Sequence, residues 1–102
     1  MNNKDLQVLR NVIELVFGEK LIMANSSTQE RLGKRKSIMF STYVFFLNKY
    51  YGYSLTEISK EMAVSKQLIY YYINKVMYIN KSNDSNILIV KKIEDCRNYL
   101  IK

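Results

Sequence analysis

The chain has 102 residues, 48% of them apolar and 13% aromatic, with three glycines and no proline, histidine or tryptophan; this is the length of one domain with a modest core, built most easily from helices. With no histidine and the single Cys96, it offers no catalytic triad, no disulfide framework and no zinc or haem ligand set. The net charge of +7 is concentrated: nine Lys or Arg and two acids lie between Arg31 and Lys81, whereas the flanks carry seven of each sign. That is the footprint of a surface facing phosphates.

Residues 4–17 place Leu6, Leu9, Val12, Ile13, Val16 and Phe17 at helical spacing, with Asn3 as the cap and Gly18 as the stop. Glu19 to Ala24 extends this as a short helix carrying Leu21, Ile22 and Met23. The stretch NSSTQERLGKRK then breaks the apolar pattern; SSTQE offers overlapping capping boxes, and a loop follows Leu32. Lys34, Arg35 and Lys36 in that loop have two readings, a solvated charge run or a phosphate-facing element. Residues 37–51 are apolar almost all round, which predicts a central helix buried on most faces and ended by Gly52.

Ser54 to Val76 reads as two helices joined by a tight turn. Ser54 and Glu57 have the spacing of a capping box, and Ile58, Met62 and Val64 face inward. Ala63 stands at the turn, where a large side chain would hold the helices apart, and Ser65 caps the second helix. In that helix Ile69, Tyr72, Ile73 and Val76 follow i, i+3, i+4, i+7 spacing, which leaves Lys66, Gln67, Tyr70, Tyr71 and Asn74 outside, without a carboxylate among them. NKSNDSN is a polar loop with Ser82 and Asp84 as capping residues. The last helix, 86–101, closes the core through Ile89, Val90, Ile93, Leu100 and either Cys96 or Arg97. The predicted architecture is all-α: one compact bundle of five or six helices over 1–102, with an N-terminal helical segment (4–32), a central helix (37–51), a helix-turn-helix (54–79) and a closing helix (86–101), the helix-turn-helix held between the central and closing helices.

Glu57 and Glu61 lie one helical turn apart, a spacing common on solvated faces, and the isolated glycines 18, 33 and 52 form no phosphate loop. Neither an enzyme nor a cofactor site is expected. No apolar run reaches membrane-spanning length and MNNKDLQVLR lacks the apolar core of a signal peptide, so a soluble cytoplasmic, nucleoid-associated protein is expected. The chemistry that remains is recognition of double-stranded DNA. A helix fits the major groove; Lys66 suits guanine acceptors, Gln67 suits adenine, and Asn74 points the same way. Tyr70 and Tyr71 can bond phosphates or lie on thymine methyls, although Tyr71 suits the core equally and Tyr72 suits it better. Ser54 at a helix N-terminus can receive a phosphate, and Lys34, Arg35, Lys36 and Lys49 add sequence-independent contacts or a minor-groove arm. The tyrosine face also fits a protein-interaction module that reuses the helix-turn-helix. Dimerisation through the apolar first helix and a monomer core made of the same residues are both open.

From Arg35 onward the order of features resembles the C-terminal DNA-binding domain of the bacterial replication initiator DnaA, of the Trp-repressor-like helix-turn-helix group. GYSLTEISKEM, residues 52–62, looks like that family's G-x-S-L-x-E-I-G-x-x-F, and Lys75-Val76 resembles its K-[IV] pair. VIELVFGEKL resembles the segment joining the family's ATPase region to this domain. The family's base-reading stretch falls on Val64, Ser65, Lys66, Gln67 and Leu68, and its Arg-Gln pair on Ser41-Thr42. The resemblance implies DNA binding through Ser65, Lys66 and Gln67, in replication control or transcription regulation; 102 residues leave no room for the ATPase. AVSKQLIYYYINK separately looks like the turn and recognition helix of TetR-type repressors. The Lys, Asn and Ile bias points to an AT-rich genome, and a stand-alone module of this kind suits a phage or mobile element.

Overall fold

The computed structural model describes residues 2–23, 33–79 and 82–101. Among them are five α-helices and no strand: α1 (Asn3–Phe17), α2 (Lys34–Lys49), α3 (Leu55–Met62), α4 (Lys66–Met77) and α5 (Asp84–Ile101). The expected capping boxes of SSTQE lie outside the described residues.

The cap of α1 is Asn2, one residue before the expected Asn3: its side chain accepts the Lys4 N–H at 2.8 Å. Gly18 ends the helix in the left-handed region, φ 72°, with its N–H donated to the Glu14 carbonyl. The short helix expected after it is absent, and 20–23 runs as an irregular strap. Side chains of α1 take the backbone groups that a helical turn would have used. The Leu21 N–H donates to Glu14 Oε2 at 2.7 Å, Arg10 Nη2 donates to the Leu21 carbonyl at 3.3 Å, and the Leu21 side chain is buried.

The central helix starts at Lys34 rather than 37, so the basic run is its first turn and not a loop. Cations are unfavourable at the positive end of a helix. Here Lys36 Nζ is compensated by Glu19 Oε1 at 3.3 Å and the Lys20 carbonyl at 2.9 Å, which fastens the start of α2 to the end of α1. From Ser37 to Val44 every residue is buried. Ser41 and Thr42 are tolerated there because their hydroxyls donate to the carbonyls four residues back, of Ser37 and Ile38. The helix ends at Lys49, and the chain turns through Gly52 at φ 78°.

The apolar stripe of α1 covers two neighbours. Leu9, Ile13 and Phe17 are fully buried and Leu6, Val12 and Val16 flank them, so α1 packs against α2 on one side and α5 on the other. The helix-turn-helix is therefore not held between central and closing helices: α3 and α4 pack on α2, while α5 packs principally on α1. The closing helix runs antiparallel to α1, with Lys92 Nζ donating to the Val16 carbonyl at one end. At the other end Tyr50 Oη donates to the Leu100 carbonyl at 2.7 Å, and Tyr53 Oη donates to Asp5 Oδ2 and accepts the Asn2 N–H. The tyrosines of the 50–53 turn thus bind both terminal helices. Asp84 is the first residue of α5 rather than its cap, and Cys96, not Arg97, faces the core. No described helix is long and apolar enough to cross a membrane.

Candidate nucleic-acid interface

The capping box at the start of α3 is complete. Ser54 Oγ accepts the Glu57 N–H at 3.1 Å and Glu57 Oε1 accepts the Ser54 N–H at 3.0 Å. The Ser54 backbone N–H, with a smaller contribution from the Ser54 hydroxyl, holds the Glu57 carboxyl below its ordinary range. Ser54 therefore acts as the cap of α3, with its Oγ and its N–H both engaged by Glu57.

Three residues, Ala63 to Ser65, separate α3 from α4. Ala63 is exposed and stands at φ 54°, ψ 43°, so its position is set by left-handed backbone rather than by close approach of the helices. Ser59 closes the turn: its carbonyl accepts the N–H groups of Ala63 and Val64, and its hydroxyl donates to the Val64 carbonyl. Ser65 then caps α4, its Oγ accepting the Leu68 N–H at 3.2 Å.

Ile69, Tyr72, Ile73 and Val76 are buried against α2, with the Tyr72 ring edge-on to Phe40 at 5.0 Å. That rotation directs Lys66, Gln67, Tyr70 and Tyr71 outward; Tyr70 is 58% and Tyr71 55% exposed. Tyr71 is neither core nor free: its ring meets Tyr72 at 5.7 Å and lies 5.7 Å from Lys75 Nζ, within cation–π reach. Asn74 is half-buried. It lines a shallow groove of about 200 Å³ with Lys49, Tyr70, Met77 and Tyr78, which brings Lys49 beside α4.

The remaining basic residues divide. Lys49, Lys60 and Lys66 are exposed. Lys36 is engaged with Glu19 and Lys20, and Lys75 Nζ donates to the buried Ser37 Oγ at 2.8 Å, so neither is an unengaged phosphate contact. The side chains of Lys34 and Arg35, and all of Lys81, lie outside the described residues. Ser41 and Thr42, where the DnaA-like pattern places Arg-Gln, are fully buried and present nothing to a ligand.

No family model, curated protein or solved structure matches this chain. What the surface can do therefore rests on its own geometry. Among the described residues no three metal-ligating side chains cluster. Sequence reasoning missed Ser59, Tyr53 and the inward turn of Lys75. Ser59 precedes Val64 by five residues, a spacing that no local rule flags, and the other two bond partners tens of residues away.

Proposed function

We propose that this chain binds double-stranded DNA, with α4 entering the major groove and acting by occupancy in replication control or transcription regulation. The observation that carries this reading is the outward face of α4. Lys66, Gln67, Tyr70 and Tyr71 stand exposed on a capped helix that contains no carboxylate, and the exposed Lys49 adjoins it. Lys66 and Gln67 occupy the first turn, the part of a recognition helix that reaches base edges. The likeness of residues 52–62 to the DnaA C-terminal domain supports the same role, and the absence of histidine supports occupancy over catalysis.

Fluorescence anisotropy of labelled duplexes, random and origin-box-containing, across a salt series tests this. Log affinity should fall linearly with log salt as counterions are released. Lys66→Ala and Gln67→Ala should each lose about 5-fold to 150-fold on the preferred duplex, corresponding to roughly 1–3 kcal/mol per base contact. Failure of every duplex to bind at low salt would sink the proposal. A protein partner is the second reading, favoured by Tyr70, Tyr71, Met77 and Tyr78, all exposed on and just beyond α4. Protein binding that is insensitive to salt and abolished by Tyr70→Ala and Tyr71→Ala would favour it.

A further inference from the structure

A cavity of about 630 Å³ opens between α1, α2 and the end of α3, with Ala63 of the helix-turn-helix turn on its wall. Leu6, Phe40 and Met62 give it apolar sides, and its size is that of a small-molecule site. Tyr43 of α2 lines it. This residue is only 2% exposed, yet its hydroxyl has no hydrogen-bond partner among the described residues. Buried hydroxyls are nearly always paired, so one on a cavity wall with no protein partner takes its bond from the cavity's contents, a water or a ligand atom that displaces it.

Two charged groups act on that hydroxyl through space, Arg10 and Glu61, and both line the cavity. The Arg10 guanidinium donates to the Leu21 carbonyl and pairs with Glu14 at 3.7 Å, which leaves further N–H donors of its five. Glu61 supplies the acceptor. A free anion would meet the Glu61 carboxylate, and a free cation would meet Arg10. A neutral molecule with a donor and an acceptor side by side suits both. We propose that this cavity binds a small, neutral, planar ring compound bearing a cyclic amide. Its carbonyl accepts from Tyr43 Oη and Arg10, its N–H donates to Glu61, and its ring lies between Leu6, Phe40 and Met62. Ligand capture here does not require DNA binding.

Met23 and Met62 line the cavity and Met77 stands on α4 away from it, so methyl-labelled methionines report on the site in the intact chain. The probe is 2-quinolone, with quinoline as the ring that lacks the amide. The expected result is a saturable shift of the Met23 and Met62 methyl signals with 2-quinolone, little movement of Met77, and binding of quinoline about tenfold weaker. Tyr43→Phe keeps the buried ring and should weaken 2-quinolone about tenfold without lowering the thermal midpoint; Glu61→Gln, on the exposed rim, should weaken it several-fold. The proposal is overturned if the Met23 and Met62 signals stay still up to the solubility limit of 2-quinolone. It is equally overturned if quinoline binds as well, or if both variants bind like the native protein.

Discussion

Replacing Ala63 by glycine should stabilise this protein, against the usual direction of that substitution. Ala63 is the single non-glycine residue with positive φ among the described residues, and it is solvent-exposed. An L side chain in the left-handed region costs roughly 1–2 kcal/mol through contact of Cβ with the following carbonyl. Glycine removes that cost but loses about 0.4–1 kcal/mol more backbone entropy on folding. The difference favours Ala63→Gly by about 0.5–1 kcal/mol, a rise in Tm of about 2–8 °C for a domain of this size. Ala63→Val should move the other way, since β-branching crowds the same contact. Urea titrations of the three proteins measure this, provided the m-value is unchanged. A glycine variant less stable than native by about 0.5–1 kcal/mol, the ordinary helical cost of Ala→Gly, would refute the reasoning. Residue 63 would then be right-handed, and the angle between α3 and α4 would not be set by this residue.

Ser54→Ala removes one half of the reciprocal cap on α3 and should cost about 1 kcal/mol in urea unfolding. The depressed Glu57 carboxyl contributes stability that is present above its unfolded pKa and lost as pH falls through the lower folded value. Glu57→Gln keeps an acceptor for the Ser54 N–H, so it should remove this acid-range loss while leaving the helix capped. At alkaline pH the sign reverses. Burial pushes the Tyr43 hydroxyl and the Cys96 thiol each up to about 12, so the unfolded chain ionises first. Stability is complete below the ordinary thiol and phenol values and falls as pH rises towards the folded ones. Tyr43→Phe and Cys96→Val together should flatten the decline of the urea midpoint above about pH 9.

Features decided within one helical turn were legible in the chain itself. The Ser54–Glu57 box, the Ser65 cap, the Gly18 stop and the buried stripe Ile69, Tyr72, Ile73 and Val76 each need only residues three or four apart, and a side chain at that distance has few other places to go. Hence the two helices, their turn and the outward set Lys66, Gln67, Tyr70 and Tyr71 follow from spacing alone. Tertiary structure decided whatever depended on competition between distant groups. Glu14 and Arg10 bound the backbone of Leu21 and turned an expected helix into a strap, and Glu19 made it possible for a run of cations to begin α2. Ser37 drew Lys75 inward, so a count of basic residues overstated the charge that the surface offers. The closing helix found α1 instead of the helix-turn-helix because the apolar stripe of α1 is wide enough for two neighbours. Local hydrogen bonding is written in the order of residues. Which partner wins a buried group or an apolar face depends on which elements the fold brings within a few ångströms, and that is settled only when they pack.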